Sequence, residues 1–363
     1  MGSFSPDPPK PWVETPLVFS PPISRAAGCN IFLKLENCQP SGSFKSRGIG
    51  NMMSIALTSL CQAGSPSQLP PRVHFYCSSG GNAGLACATT AIALGNSPVT
   101  IVVPTSASEF MVSKLRDLGA EVIQTGATWA EADAYLRETF LKTTTNTEED
   151  ERRVYVPPFD HPDIWSGVAT LVGEIVRQLP HGNSGDGQPV TLDGVVCNVG
   201  GGGLLNGVME GLERNAKLLA PSKPKVLAVE TVGADSLFAS VQAGRLLTLP
   251  GITSVALSLG ATRVSAKTWE WATSAKGNLI SATVTDKEAV MGCARFLDDA
   301  RMLIEVACGA TVAMAYNGGL RRHLGEGLTD EEWAKKNVVL VVCGGSNVSW
   351  EILNKQKKAF GIE

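Results

Sequence analysis

No block of basic residues appears in this 363-residue chain, whose 31 lysines and arginines against 34 acidic residues leave a net charge of −3. A sequence-independent grip on a phosphate backbone needs clustered cations, so nucleic acid is not an expected partner. No apolar run reaches the ~18 residues that a membrane-spanning helix requires. The four histidines never fall in H-E-x-x-H, no G-x-S-x-G elbow occurs, and no Gly-Lys dipeptide offers a Walker A lysine. Metal hydrolysis, serine-hydrolase and P-loop chemistry are therefore set aside. The nine cysteines are scattered, without C-x-x-C pairs or metal-ligand spacing. Their odd number fits reduced thiols better than a disulfide framework. The opening MGSFSPDPPKPWVETP lacks the basic and apolar segments of a secretory signal. The expectation is a cytoplasmic protein that handles a small molecule, with neither membrane nor nucleic acid as partner.

What is present is an ordinary globular composition, 44% hydrophobic and 18% charged, on a chain long enough for two domains. From Arg72 onward strands and helices alternate. RVHFYCSS reads as a buried strand and NAGLACATTAIALG as a helix closed by Gly95. VTIVVP, SASEFMVSKLRDLG, AEVIQTG and TWAEADAYLRETFLK repeat the rhythm, and DGVVCNV, LLNGVMEGLERNAKLLA, KVLAVE and NVVLVVCGG resume it. The polar stretches Thr143–Arg153 and His181–Pro189 read as surface loops. Such alternation predicts α/β domains, each a mostly parallel sheet flanked by helices, with a ligand cleft between them.

Three glycine-rich loops follow predicted strands. NVGGGGLLNG, from Asn198 to Gly207, places four consecutive glycines ahead of a helix. Backbone without Cβ atoms can turn its N–H groups inward as an anion nest, and the helix N-terminus adds positive potential. The spacing fails G-x-G-x-x-G, which favours a small phosphate-bearing cofactor over a dinucleotide. SSGGNAG, from Ser78 to Gly84, offers hydroxyls, amides and a helix dipole to a carboxylate. VVCGGSN, from Val341 to Asn347, ends the last strand with Cys343, either a buried structural thiol or a group facing a ligand. A lysine, Lys45 in SGSFKSRG, completes a set that suits a Schiff-base cofactor carrying a phosphate, as pyridoxal phosphate does.

KLENCQPSGSFKSRG, SSGGNAG, VGGGGL, VETVGADS and CGGSN occur in the order seen in the fold-type-II, tryptophan-synthase-β-like pyridoxal-phosphate enzymes. The chain resembles that family along nearly its whole length, and within it the eukaryotic L-serine dehydratase/L-threonine deaminase branch. The resemblance implies a large cofactor-binding domain over 1–45 and 154–363, with a small substrate-closing domain over 46–153 inserted into it. It implies that Lys45 holds the cofactor and then takes the α-proton, and that Phe44 packs on the pyridine ring. Gly200, Gly201, Gly202, Gly203 and Leu204 would take the phosphate. Asn82 would bond the phenolic oxygen, and Ser78, Ser79, Gly80 and Asn82 would hold the substrate. Cys343 would face the pyridine nitrogen. A neutral thiol there cannot keep that nitrogen protonated, which weakens the ring as an electron sink and favours prompt β-elimination.

Serine racemases of this fold place a serine where this chain has Gly80, so little racemisation is expected. Glu230, Ala234 and Ser236, with Leu259 and Ala261 as carbonyl donors, match a monovalent-cation site of relatives and imply potassium. Lys34, Glu36 and Arg47 read as structural ion pairing. The expected activity is dehydration and deamination of L-serine or L-threonine to a 2-oxo acid and ammonia by a homodimer. The alternatives are β-replacement, as in cysteine or cystathionine synthesis, and a non-catalytic phosphate-binding regulatory protein.

Overall fold

The computed structural model describes residues 10–63, 72–142, 151–180, 190–221, 223–275 and 277–362. Contacts divide the chain into two compact units. The smaller comprises Gln39–Gly167 with the described residues up to Val13, and the larger comprises Glu14–Cys38 with the chain from Val168 onward.

Along the chain, the larger unit starts with β1 (Leu17–Phe19), α1 (Pro21–Ala27) and β2 (Asn30–Lys34). The smaller unit follows as α2 (Lys45–Ala63), β3 (Arg72–Cys77), α3 (Asn82–Ala93), β4 (Val99–Val103), α4 (Glu109–Asp117), β5 (Glu121–Gln124), α5 (Trp129–Leu136) and β6 (Glu151–Tyr155). The chain passes from one unit to the other within α6 (Pro162–Gln178). The larger unit resumes with β7 (Gly194–Asn198), α7 (Gly203–Arg214), α8 (Ala216–Leu219), β8 (Lys225–Thr231), α9 (Ser236–Ala243), α10 (Ala266–Ser274) and β9 (Leu279–Val284). It finishes with α11 (Asp286–Ala300), α12 (Val306–Tyr316), α13 (Gly319–Leu324), α14 (Asp330–Ala334), β10 (Asn337–Val341) and α15 (Trp350–Ala359).

Among the described residues, the sheet of the larger unit has the order β1-β2-β10-β7-β8-β9. It is parallel except where β1 runs antiparallel to β2. The sheet of the smaller unit, β5-β4-β3-β6, is parallel throughout. Parallel strands need crossover helices on their faces, and these bury the central strands on both sides. All residues of β4 and β7 are accordingly buried, whereas the edge strands β1 and β5 carry exposed residues.

The pleat still sorts side chains by face. Val73, Phe75 and Cys77 of β3 join Val99, Ile101 and Val103 of β4 in one apolar cluster with Ile49, Leu85 and Leu115 from α2, α3 and α4. Tyr76 and Val102 point the other way, against Ala132 and Leu136 of α5. Each fully buried side chain of this size contributes roughly 1.5–3 kcal/mol.

Several expectations shift. Residues 151–153 are not loop but the start of β6, an edge strand beside β3 and so tolerant of a polar sequence. Residues 143–150 and the 181–189 loop lie outside the described residues. The single helix expected from Leu204 to Ala220 is two, α7 and α8, broken at Asn215, whose Nδ2 donates back to the Gly211 carbonyl at 2.8 Å. The division between units falls at 38/39 and 167/168 rather than after 45 and 153. The cause is contact. β6 pairs with β3 from Arg72↔Glu151 to Tyr76↔Tyr155, and a Cβ at Gly167 would fall 2.4 Å from the Arg47 carbonyl oxygen. Lys45 therefore belongs to the smaller unit.

Candidate active site

In the smaller unit the candidate residues cluster at the start of α2 and beyond the end of β3, the end of a parallel strand where ligands are bound in α/β folds. Lys45 is the first residue of α2, where the helix dipole opposes a second positive charge. Its Nζ donates to the Pro158 carbonyl and lies 5.4 Å from the Phe44 ring centroid. The turn before it is pinned by Ser46, whose Oγ accepts from the Ser41 amide at 3.1 Å and shares a 2.7 Å hydrogen bond with Ser41 Oγ.

Ser79, Gly80 and Asn82 lie between β3 and α3, with Asn82 opening the helix. The loop turns tightly onto α3, because a Cβ at Gly84 would sit 2.0 Å from the Ser79 carbonyl oxygen. Ser78 is fully buried, and its hydroxyl donates to Asp133 Oδ1 at 2.6 Å. A Cβ at Gly80 would meet Val103 Cγ1 at 3.0 Å and Ala107 Cβ at 3.7 Å, so the place a racemase serine needs is crowded by β4.

In the larger unit the glycine loop joins β7 to α7. Gly202 has φ +99°, and a Cβ there would lie 1.8 Å from Thr268 Oγ1. Thr268 is itself held: its hydroxyl donates to Asn206 Oδ1 at 2.8 Å and bonds Ser265 Oγ at 2.9 Å, while Asn206 Nδ2 donates to Ser265 Oγ at 3.0 Å. The Ser265 amide donates to the Gly201 carbonyl at 3.0 Å, and the Asn206 amide to that of Gly202 at 2.8 Å. With carbonyls engaged, the loop and the first turn of α7 have N–H groups to offer an anion. The Cβ-free cradle fits a phosphate monoester. Leu204 is buried behind it.

Cys343 follows β10, next to β7 in the sheet. Asn198 Nδ2, at the end of β7, donates to Cys343 Sγ at 3.1 Å and to the Ala307 carbonyl at 2.6 Å. A hydrogen bond with Cys308, together with burial, pushes the Cys343 thiol well above its usual range, so it stays protonated at neutral pH. Glu305 is a residue the sequence reading missed. Buried, it accepts from the Asn347 amide at 2.7 Å and from the Ser258 hydroxyl, tying the CGGSN turn to the segment that packs on Gly200.

Glu230, next to last in β8, is fully buried, with its carboxylate accepting from the Leu237 and Phe238 amides at 2.8 and 2.7 Å. Burial pushes its pKa up to about 8, against those two hydrogen bonds. Ala234 and Ser236 are buried beside it in sequence, and Ser236 Oγ has no hydrogen-bond partner among the described residues. Leu259 lies against Gly200, its Cα 3.2 Å from where a Cβ would stand, and its carbonyl accepts from the Ala261 amide. Lys34 pairs with Glu174 at 2.6 Å, and Glu36 accepts from Thr15 Oγ1 at 2.6 Å.

The smaller unit thus holds a lysine at a helix start, and the larger holds a glycine cradle behind a parallel strand and a protonated thiol beyond another. The chain belongs to the pyridoxal-phosphate dependent enzymes, whose family pattern it matches over residues 10–344. It is 44% identical over 345 residues to a rat (Rattus norvegicus) protein named serine dehydratase-like, covering 94% of this chain and 93% of that one. It is 38% identical over 352 residues to a bovine (Bos taurus) L-serine dehydratase/L-threonine deaminase, covering 97% and 96%. Among solved structures, a fungal L-serine ammonia-lyase from Rhizomucor miehei superposes with a TM-score of 0.78 at 32% identity, over 96% of this chain and 99% of that one.

Two outcomes follow from the crowding around the glycines. Gly202→Ala meets both a left-handed backbone and Thr268, and we expect the apparent Kd for pyridoxal phosphate, read by absorbance titration, to rise about 100-fold or more. Adding Thr268→Ala removes the hydroxyl contact but leaves a Cβ contact of 2.8 Å, so recovery should be partial. Gly80→Ser alone should lower kcat/KM for L-serine about tenfold through overpacking and yield no D-serine by chiral chromatography. Paired with Val103→Ala it should regain activity and yield D-serine.

Proposed function

We propose that this enzyme is a pyridoxal-phosphate-dependent ammonia-lyase that converts L-serine to pyruvate, and L-threonine to 2-oxobutanoate, with release of ammonia. The observation that carries this reading is the near full-length likeness to serine dehydratases, in a chain whose cradle and thiol suit the same cofactor. Pyridoxal phosphate, when bound, supplies a carbonyl that condenses with the substrate amine and a ring that draws electron density from Cα.

The chain's own residues do the rest. The 200–203 amides and the α7 N-terminus bind the phosphate, with Leu204 excluding water behind them. Phe44 would pack on the ring, and Asn82 would bond its phenolic oxygen. Ser79 and Gly80 present their amides to the substrate carboxylate. Lys45 leaves the Pro158 carbonyl and takes the proton from Cα as a free amine. The Cα–H and Cβ–O bonds break, the hydroxyl leaves as water, and a water returns when the enamine product hydrolyses to 2-oxo acid and ammonia. Cys343 carries no charge to offer the pyridine nitrogen, which would make the ring a weaker electron sink and favour prompt loss of the β-hydroxyl.

We further infer that Glu230, Ala234 and Ser236, with the carbonyls of Leu259 and Ala261, hold a potassium ion. The support is a buried carboxylate whose charge burial opposes, beside an unpartnered hydroxyl; carbonyls and one carboxylate suit a hard monovalent cation. The family resemblance supports a homodimer, and the scattered free thiols support a cytoplasmic location.

The test of the activity measures 2-oxo acid and ammonia from L-serine and from L-threonine, with and without an added thiol. We expect equal amounts of both products, insensitive to the thiol, and none from Lys45→Ala. Thioether in place of 2-oxo acid means β-replacement, and silence from both amino acids removes the dehydratase reading. For the cation, replacing K+ by tetramethylammonium should lower the unfolding midpoint and kcat of the wild type. Glu230→Gln should be indifferent to the exchange, and an indifferent wild type would exclude the site.

A further inference from the structure

Asp133 is used by no step of the proposed chemistry, yet it is the hub of a buried polar cluster in the smaller unit. Only 8% of it is exposed. Its Oδ1 accepts from the Ser78 hydroxyl and the Tyr155 hydroxyl, each at 2.6 Å, and its Oδ2 accepts from Arg137 Nε at 2.7 Å. The Arg137 guanidinium also lies 3.9 Å from the centre of the Tyr155 ring. Burial alone would raise the pKa of this carboxyl, but the three donors and the Arg137 charge outweigh it and hold it below the usual range.

The topology explains why these residues meet. Tyr155 ends β6 and pairs with Tyr76 of β3, while Ser78 follows the end of β3 directly. Asp133 reaches them from α5, whose Ala132 and Leu136 are anchored in the core under Tyr76 and Val102. A rigid helix thus grips the first residue of the Ser78–Asn82 loop, and the close approach of Gly84 to the Ser79 carbonyl fixes its far end. Between these clamps lie Ser79, Gly80 and Gly81. Glycine-rich backbone has many conformations to lose, so its aim depends on its anchors. A negative group this near a carboxylate site would repel the substrate's carboxylate, and Arg137 supplies the opposite charge.

We propose that Asp133 is a positioning residue for substrate binding: through Ser78 it aims the Ser79–Asn82 loop at the substrate carboxylate, with Tyr155 and Arg137 holding the Asp133 side chain in place. This rests on the reading of that loop as the carboxylate site. It assigns a binding role to three side chains that touch neither substrate nor cofactor.

The experiment uses the holoenzyme with L-serine and reads KM, kcat, the visible cofactor spectrum and the apparent Kd for pyridoxal phosphate. Ser78→Ala and Asp133→Ala should each raise KM about tenfold while leaving kcat, spectrum and cofactor affinity near wild type, since a charge-assisted hydrogen bond is lost from the binding step. Asp133→Asn keeps an oxygen acceptor for Ser78 and should regain part of the loss. The double variant Ser78→Ala/Asp133→Ala should be no worse than either single one, as expected of two links in one chain.

If Asp133→Ala fails to fold, Ser78→Ala still decides, because it deletes only one buried hydroxyl. An unchanged KM in Ser78→Ala, or multiplying effects in the double variant, overturns the proposal. Ser79→Pro, which removes the amide hydrogen assigned to the substrate carboxylate, separates the two readings. If it raises KM while Ser78→Ala does not, the loop remains the carboxylate site and only the role of Asp133 falls. If it too leaves KM unchanged, the loop reading fails and the proposal falls with it.

Discussion

A methyl group on residue 202 has nowhere to go, and much of the larger unit is arranged around that fact. Gly202 takes a left-handed turn within reach of Thr268, so the chain leaving β7 enters α7 along one path. The buried hydrogen bonds among Asn206, Ser265 and Thr268 then fix α7 against the start of α10, and the Ser265 amide ties down the Gly201 carbonyl. Each of these polar groups is satisfied by another, which is the condition under which a buried polar network adds rigidity rather than cost. An anion nest has to be rigid to be selective, because its donors gain nothing from a ligand they must first be reorganised to meet. The smaller unit solves the same problem at Gly84, where the close approach of the Ser79 carbonyl sets the entry into α3.

The electrostatics of the candidate site are economical. Cys343 is kept neutral by its neighbour Cys308 and by burial, so the end of β10 presents no charge where a carboxylate would impose one. Glu305 and Asn198 spend their hydrogen bonds on holding that turn in place. The ionised groups are kept for anchoring. Lys34 and Glu174 pair at 2.6 Å in the interior of the larger unit, and buried Asp133 pairs at 2.7 Å with half-exposed Arg137 in the smaller. Burying a charge is tolerated when its partners are complete, and Glu230 is the case where protein donors alone leave the charge opposed.

How much of this was legible beforehand depended on sequence distance. Strand and helix patterns from Arg72 to Leu141 were readable because central parallel strands are continuous apolar runs and helices repeat at 3.6 residues. β6 was hidden because an edge strand can begin Glu-Arg-Arg and still pair with β3. The loops that carry chemistry announced themselves through glycine, since close backbone approach demands it locally. Their supports did not. Thr268 lies 62 residues from Asn206, Asp133 lies 55 from Ser78, and Glu174 lies 140 from Lys34. No local pattern links such partners, and only the fold brings them together. The bond from Ser78 to Asp133 was hidden for the same reason, because the neighbour of Ser78 in space could not be read from its neighbours in sequence.

The packing of Gly80 against Val103 also bears on the history open to this chain. The two positions cannot drift independently. A larger residue at 80 arrives first against a fully buried, β-branched side chain on a central strand, while a smaller residue at 103 arrives first as a void in the core. Either order of change passes through a poorer protein before any new use of the pocket can repay it. A pair of packed atoms thus guards this corner of the loop, and descendants would have to cross a fitness valley to change it.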